Sequence, residues 1–470
     1  MPRRYLILAI CCMSLFIVGL DVTIVNIALP SLRSDLHASV AGLQWVIDAY
    51  TLVLAGLLVL AGSTADRIGR RRIFQTGLAL FTAGSLLCSV APGLGWLIAF
   101  RAMQAVGGSM LNPVAMSIIT NVFTEPRERA RAIGVWGAVV GFSLALGPVV
   151  GGALVDSLGW RSIFWVNVPV GIAAFLLAAR FVPESRAPHP RRIDPVGQVL
   201  VFLVLAGVTY GIIEGPVAGW SSYPIWGCFF VGALALGALL IYEPRQREPL
   251  IELRFFRSVP FSGATLIAVS AFASLAGFLF LNSIYLQDVR GLSPLHAGLW
   301  TLPMAAMTVI FSPLSGRLVG SRGARLPLVL AGAGLVASML PLARLTADTP
   351  FWLLSVCYVL FGFGFAMVNS PITNTAVSGM PREQAGVAAA IASTSRQVGG
   401  ALGVAVLGAV VSSATGGDFA ARSHAGWWII AALGAVVLTL GLVTTGRWAR
   451  ATTERVAPRP APPMTAKLAP

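Results

Sequence analysis

The chain has 470 residues, of which 56% are hydrophobic and only 11% are charged. This composition excludes an ordinary water-soluble domain, in which about 25% of residues are charged. The formal charge of +15 would also suit a nucleic-acid-binding protein, but the basic residues stand in short breaks between long apolar stretches. We therefore expect a lipid bilayer, and no nucleic acid, around this chain.

Fourteen apolar stretches follow one another along the sequence, each close to the roughly 20 residues that a helix needs to cross a bilayer. They predict an all-α membrane protein with 14 transmembrane helices. The first stretch resembles a signal peptide but continues past Asp21 without a small-residue cleavage site, so we expect it to be retained. We place the helices at 5–29, 43–65, 73–91, 95–120, 130–155, 162–182, 195–214, 222–242, 260–285, 296–316, 325–344, 350–372, 384–412 and 425–446.

Most of the basic residues fall on the side of the membrane that the N-terminus would share. Examples are Arg67 and Arg70 to Arg72, whereas only a few, such as Arg33 and Arg161, fall on the other side. Because cytoplasmic loops carry the excess of Lys and Arg, this asymmetry predicts a multi-pass protein of the bacterial inner membrane with both termini in the cytoplasm. The proline-rich segment 447–470 is predicted to be a disordered tail.

Two short segments recur at nearly the same offset. Gly62 and Gly69 align with Gly316 and Gly323, and the segment that begins at Pro126 aligns with the one that begins at Pro381. Such repeats are typical of transporters in which two like bundles rock about a central site. They predict a 6+2+6 architecture, with a first bundle at 1–182, two extra helices at 183–258 and a second bundle at 259–446.

Ionisable residues inside a membrane are costly and are candidates for function. Asp21, Asp48, Arg101 and Arg396 lie deep in their stretches, whereas Glu214 and Asp288 stand near span ends and are expected to be solvated. A buried carboxylate at Asp21 would bind and release a proton near neutral pH; a salt-bridged or helix-capping Asp is the alternative. Arg101 is either its partner or an architectural hydrogen-bond hub.

Polar and aromatic neighbours of these residues are candidates for substrate contact. Trp45 stands one turn before Asp48, an arrangement that suits a lipophilic cation, although a structural role for Asp48 is equally open. Asn26 follows Asp21 in the first stretch, and Gln104 shares the helix face of Arg101. We therefore take Asn26, Trp45, Asp48 and Gln104 as candidate substrate-binding residues.

The fifth stretch is rich in small residues at four-residue spacing, including Gly137 with Gly141 and Gly147 with Gly151. Such spacing lets helices approach closely, and Pro148 removes a backbone donor and bends the helix. This face suits either a rocking interface or ordinary tight packing.

These motifs resemble those of the major facilitator superfamily, in particular its fourteen-helix drug:proton antiporter branch, and the resemblance covers nearly the whole chain. It implies proton coupling at Asp21 and Arg101 and a conformational latch formed by Asp66 and Arg70. Asp48, the other carboxylate deep in an apolar stretch, is our second candidate for proton coupling. Segments 20–30, 160–171 and 285–298 are also similar to that branch. The latch motif comprises Gly62, Asp66, Arg67, Gly69 and Arg70, and the antiporter motif comprises Gly141, Gly147, Pro148, Gly151 and Gly152.

Two positions depart from the family pattern. Ala105 stands where the fourth-helix motif has glycine, which would hinder close helix approach, and Gly320 stands at the second-half position equivalent to Asp66. Any latch is therefore expected to be asymmetric.

The predicted function is proton-driven export of drug-like or antibiotic small molecules by alternating access. The alternative is a dedicated exporter of one endogenous metabolite, such as an antibiotic, a lipid or a siderophore. An ATP-driven pump would need a phosphate-loop lysine, but the one lysine is Lys467 in the tail, and the four histidines are too scattered for an enzyme site. We expect a monomer that needs no metal or cofactor.

Overall fold

A computed structural model of the protein describes residues 3–187, 193–246, 248–378, 385–412 and 418–455. Helices and their connections make up these residues, and no β-strand occurs among them. An all-helical fold is what the apolar stretches predict, because a helix satisfies its own backbone hydrogen bonds inside a membrane.

The first part of the chain forms nine α-helices within the described residues. They are α1 (Arg3–Leu36), α2 (Val40–Ile68), α3 (Arg70–Ser89), α4 (Leu94–Val122), α5 (Pro126–Leu158), α6 (Ser162–Trp165), α7 (Asn167–Phe181), α8 (Pro195–Ala218) and α9 (Tyr223–Tyr242).

The second part forms nine more within the same limits. They are α10 (Val259–Ile284), α11 (Pro294–Trp300), α12 (Leu302–Arg322), α13 (Arg325–Leu342), α14 (Phe351–Ala366), α15 (Asn369–Val377), α16 (Ala385–Val411), α17 (Phe419–Val443) and α18 (Arg447–Ala451).

Local sequence signals set several helix ends. Ser39 caps α2 by accepting a hydrogen bond from the Gly42 amide at 3.1 Å. Glu125 caps α5 in the same way, and the amides of Arg127 and Glu128 hold the pKa of its carboxyl group below the usual value. Gly69 ends α2 with φ 136°, and Gly323 ends α12 with φ 79°. These two glycines are equivalent in the sequence repeat, and both adopt a backbone conformation that other residues avoid.

Twelve helical segments of the described residues are long and apolar enough to cross a bilayer. Two further long helices, α3 and α4, fall outside that group because α3 begins with three arginines and α4 carries Arg101 and Gln104 in its first half and Asn112 and Asn121 in its second. Each predicted stretch matches one helix or a broken pair. The breaks after Trp165 and after Ala366, which divide α6 from α7 and α14 from α15, were not predicted.

Helices α1–α7 pack mainly with one another and form the first group, and α10–α17 form the second, although α11 packs chiefly against α5, and α2 also packs against α16. Helices α8 and α9 pack against each other, and α8 lies against α2 and α16, one helix from each group. The close approach of α3 to α4 survives Ala105, because a Cβ on Gly84 would lie 2.7 Å from the backbone of Gln104 and one on Gly107 would lie 2.3 Å from that of Phe81. Glycines at neighbouring positions thus provide the contact.

We call the end of the bundle that holds the start of α1 the near end, and the end that holds the α1–α2 turn the far end. Hydrogen bonds between the two groups cluster toward the far end. Gln44 on α2 donates to the carbonyl oxygens of Val404 and Ala405 on α16 at 3.1 and 2.7 Å. Ser283 on α10 donates to the carbonyl oxygen of Asn26 at 2.5 Å. In the near-end half of α5, by contrast, the space beside Gly134 and Gly137 is open.

The repeat predicted around Pro126 and Pro381 is covered only in part. Residues 379–384, and with them Pro381, Arg382 and Glu383, lie outside the described residues, as do residues 456–470 of the predicted tail.

Candidate functional site

Asp21 and Arg101 meet inside the first group of helices. Arg101 on α4 donates through Nη1 to Oδ2 of Asp21 on α1, and Gln104 Nε2 donates to Asp21 Oδ1 at 2.9 Å. All three side chains are buried, with exposures of 0% for Asp21, 1% for Arg101 and 0% for Gln104. The carboxylate therefore lies in a sealed polar cluster.

Two further polar residues complete this cluster. Asn167 Nδ2, at the start of α7, donates to Asp21 Oδ1 and to Ser85 Oγ, both at 3.1 Å. Ser85 on α3 in turn donates to the Phe164 carbonyl oxygen at 3.0 Å. Sequence reasoning missed both residues because neutral polar side chains are not costly enough in a membrane to stand out. Asn167 lies within the segment 160–171. The available signal was that a polar residue stands there between apolar residues.

Arg101 makes further contacts around the pair. Its Nε donates to the Val46 carbonyl oxygen at 3.2 Å, Nη1 also donates to Gln104 Oε1 at 2.7 Å, and its guanidinium carbon lies 4.2 Å from the centre of the Tyr50 ring. Removing one member of a buried ion pair typically costs about 3–5 kcal/mol because the other charge is left without compensation. Protonation of Asp21 would likewise leave the charge of Arg101 without compensation.

Asp48 has far fewer partners. It is 0% exposed, accepts one hydrogen bond from Thr51 Oγ1 at 3.3 Å, and its Oδ2 has no hydrogen-bond partner among the described residues. Asp48 shares a helix face with Gln44, which binds α16. The carboxylate thus lies near the seam between the two groups.

Trp45 is directed toward α8. Its Nε1 donates to Glu214 Oε1 at 2.7 Å, and its ring centre lies 5.8 Å from that of Tyr210. Helix α8 packs on this face of α2 and offers the indole N–H an acceptor. Joint contact of Trp45 and Asp48 with a cationic substrate stays a prediction. Glu214 is half-buried at this contact.

Asn26 lies where α1 meets α10. Its Nδ2 donates to the Val22 carbonyl oxygen at 3.1 Å, and its own carbonyl oxygen accepts the bond from Ser283. Its side-chain oxygen is buried without a hydrogen-bond partner in the described part of the chain.

The residues of the latch motif contact their own half of the protein. Asp66 Oδ1 lies 3.0 Å from Arg70 Nη2, Arg67 is exposed, and a Cβ on Gly62 would contact Pro113 at 3.7 Å. Any partner within residues 379–384, immediately before α16, would lie outside the described residues.

Glu184, which sequence reasoning missed, binds the turn that contains this motif. Its Oε1 accepts from the Arg71 amide at 3.1 Å and from the Ser185 amide at 3.0 Å, and the Arg70 amide donates to the Ser185 carbonyl oxygen at 2.9 Å. The segment that follows α7 is thereby fastened to the α2–α3 turn.

We expect Glu184→Ala to lower the thermal stability of the detergent-purified protein. Leaving a buried backbone donor unpaired costs about 1–3 kcal/mol, and the partly buried Arg71 amide should lie at the low end of that range. The measurement is the midpoint of heat-induced labelling of the buried cysteines by a thiol-reactive dye, with Asp348→Ala, at an exposed loop position, as the control. Equal midpoints for the two variants would contradict a fastening role for Glu184.

The glycines of α5 contact helices from both groups. A Cβ on Gly147 would lie 1.9 Å from Thr23 Oγ1, and one on Gly151 would lie 2.6 Å from Ile24 Cγ1, both on α1. A Cβ on Gly152 would lie 2.4 Å from the Pro294 carbonyl oxygen on α11, and one on Gly298 would lie 2.2 Å from the Pro148 carbonyl oxygen.

Gly141, nearer the middle of α5, faces α12, because a Cβ there would lie 4.0 Å from Val309 Cγ2. This end of the motif is more loosely packed than Gly147–Gly152. Close contact between the two groups along α5 is thus concentrated toward the far end.

The geometry places a buried ion pair inside the first group of helices and a closely packed interface between the two groups. In the part of the chain that the structure describes, no group of three or more His, Cys, Asp or Glu side chains is placed to hold a metal ion.

The chain is similar to known proteins over most of its length. The family model described as Major Facilitator Superfamily matches residues 11–404. The chain is 37% identical over 403 residues to "Multidrug resistance protein Stp" of Mycobacterium tuberculosis, covering 85% of this chain and 74% of that protein. It is 38% identical to "Tetracenomycin C resistance and export protein" of Streptomyces glaucescens, with coverages of 86% and 75%. It is 34% identical to "Methylenomycin A resistance protein" of Streptomyces coelicolor, with coverages of 86% and 84%.

The fold is also similar to a solved structure. A bacterial homologue of the human lysosomal transporter Spinster, in an inward-facing and occupied conformation, superposes with a TM-score of 0.65 at 18% identity. The match covers 98% of this chain and 100% of that one, so the likeness extends over the whole fold.

Proposed function

Because the chain belongs to the major facilitator superfamily, we propose that it is a proton-driven secondary transporter that exports drug-like or antibiotic small molecules by alternating access. The observation that carries the proposal is the sealed Asp21–Arg101 pair in a chain whose relatives are named as multidrug or antibiotic resistance proteins. An ionisable pair of this kind inside a membrane is a functional site by default.

We propose that all fourteen predicted stretches cross the membrane in a 6+2+6 arrangement. Helices α3 and α4 pack within the first group despite their polar residues, and a polar residue that faces a partner inside a bundle does not prevent spanning. The proposed units are a first bundle at 1–182, two extra helices at 183–258, a second bundle at 259–446 and a cytoplasmic tail at 447–470.

The near end is proposed to face the cytoplasm of a bacterial cell, with both termini on that side and the protein acting as a monomer. The α2–α3 turn at this end carries the arginine cluster Arg70 to Arg72, as the positive-inside rule requires. The hydrogen bonds near the far end then close the outer side, and substrate enters from the cytoplasm or the inner leaflet.

We propose that Asp21 is the main proton site. In the closed cluster its carboxylate holds α1 to α4 and α7 through Arg101, Gln104 and Asn167. Protonation from the outer side neutralises Asp21, weakens this cluster and permits the return to the inward-open state. Each proton gains about 2.3 kcal/mol per 100 mV of membrane potential. Asp48, with one carboxylate oxygen lacking a partner among the described residues, is the candidate for a second proton.

Substrate is proposed to bind between the two groups of helices. A pocket there is lined by residues of both, including Thr23 and Ala145 from the first group and Met304 and Phe365 from the second. Asn26 and Asp48 lie at the seam between the groups. Trp45 and Gln104 are engaged with Glu214 and Asp21, so their contact with substrate would require those bonds to break.

The α2–α3 turn and the α5 glycines are proposed to control which side is open. Asp66 and Arg70 would latch the cytoplasmic side when the second bundle approaches, since a carboxylate is favoured at a helix N-terminus. Gly147 to Gly152 would close the outer side through their contacts with α1 and α11.

The test is ethidium retention in an efflux-deficient bacterium that expresses the protein. We expect the dye to be extruded, and we expect a protonophore to stop extrusion. Extrusion that continues at the same rate after the proton gradient collapses would contradict the proton drive.

A dedicated exporter is the second candidate, because two relatives are named for single antibiotics, tetracenomycin C and methylenomycin A. A well-expressed protein that extrudes no ethidium but confers resistance to one antibiotic would favour this reading.

A further inference from the structure

Arg396 lies near the middle of the apolar segment Val387–Val411 of α16. Its Nη2 donates to Thr373 Oγ1 on α15 at 2.5 Å, and its guanidinium carbon lies 5.9 Å from the centre of the Phe272 ring on α10. Its Nε is buried and has no hydrogen-bond partner among the described residues. None of the carboxylates that the structure describes forms an ion pair with it.

The two intramembrane arginines thus differ in their surroundings. Arg101 is fully buried and paired with Asp21, whereas Arg396 is only partly buried and contacts Thr373, which is exposed. A cation at membrane depth without a counter-ion costs several kcal/mol. An anion that binds from outside the chain would supply the missing counter-charge.

An aromatic surface leads from Arg396 to the pocket between the bundles. Phe272 packs edge-on against Phe365 with ring centres 5.3 Å apart, and Phe365 lines the pocket together with Thr23 and Ala145. A planar ligand in the pocket would lie against this surface and bring a substituent toward the guanidinium group.

We propose that Arg396, Thr373 and Phe272 form a substrate subsite for an anionic oxygen, a carboxylate or a phenolate, carried by a planar aromatic molecule. Guanidinium groups bind such oxygens through short, charge-assisted hydrogen bonds. The inference rests on the proposed export function and adds a substrate class to it. It also assigns the negative end of the substrate to the second bundle.

Two dyes with the same xanthene ring system and opposite charge test the subsite. Binding of fluorescein, an anion, and rhodamine 6G, a cation, is measured by fluorescence anisotropy with the purified full-length protein in detergent. We expect Arg396→Gln to weaken fluorescein binding at least tenfold, about 1.4 kcal/mol, while rhodamine 6G binding changes less than about twofold. Arg396→Lys should retain part of the affinity, and Arg344→Gln, which removes an exposed loop arginine, should retain all of it.

Several outcomes would overturn the subsite: no saturable fluorescein binding by the wild type, unchanged binding by a monodisperse Arg396→Gln variant, or an equal loss for both dyes. Wild-type affinity and transport in Asp48→Asn/Arg396→Gln would also overturn it, because the partner of Arg396 would then be Asp48. The export proposal fails separately, through protonophore-insensitive ethidium efflux, and that failure would leave fluorescein binding intact.

Discussion

Asp21→Asn should abolish protonophore-sensitive ethidium efflux. Asn keeps the shape of the side chain but cannot exchange a proton, and it leaves the buried Arg101 without a counter-ion. Initial efflux rates in the efflux-deficient host should fall to those of cells that carry the empty vector. Asp348→Asn, at an exposed loop position, should retain wild-type rates.

A second variant separates folding from coupling. Asp21→Asn alone carries the cost of an unpaired buried charge, about 3–5 kcal/mol, and that cost by itself lowers the amount of folded protein. The double variant Asp21→Asn/Arg101→Gln removes both charges and should recover wild-type yield and thermal stability without recovering efflux. Proton-driven efflux by the double variant would show that the pair is structural.

Gly152→Ala should open the outer side of the protein. The added Cβ would lie 2.4 Å from the Pro294 carbonyl oxygen and 2.7 Å from the Leu295 Cα, both backbone atoms of the opposite bundle. Overpacking of this kind costs about 1–3 kcal/mol, and placed at the interface it destabilises the outward-closed state alone. A shift of that size predicts a change of about 5- to 150-fold in the ratio of the two states.

The shift can be measured by thiol labelling of Ser283→Cys in a chain whose five native cysteines are replaced. Ser283 is 2% exposed and bonds to Asn26 where the bundles meet, so the new thiol reports on opening. Labelling should be faster in Gly152→Ala than in Gly137→Ala, whose new Cβ would enter open space. Equal labelling rates would contradict a closing role for Gly152.

The sequence predicted most of the fold because crossing a bilayer requires long apolar helices, and these are visible without tertiary information. It also found Asp21, Asp48 and Arg101, since charges are rare inside membranes. It did not find the breaks before α7 and α15, because tertiary packing decides where an apolar helix bends.

The site was predictable only in part, for a related reason. Asn167 and Ser85 are neutral, so neither their type nor their spacing in the sequence marks them as members of the hydrogen-bonded cluster around Asp21. The bond from Trp45 to Glu214 depends on where α8 packs, and the bonds of Glu184 to the α2–α3 turn depend on the return of the chain after α7. Contacts between elements far apart in the sequence leave no periodic pattern.

Proton movement coupled to substrate is the most direct test of the account. Purified wild-type protein and Asp21→Asn are reconstituted into liposomes that contain a pH-sensitive dye, and an ethidium gradient is imposed without any proton gradient. The account predicts that ethidium flux through the wild type drives protons in the opposite direction and that Asp21→Asn produces no proton movement. Ethidium flux through the wild type with no change in internal pH, or equal proton movement in the variant, would contradict it.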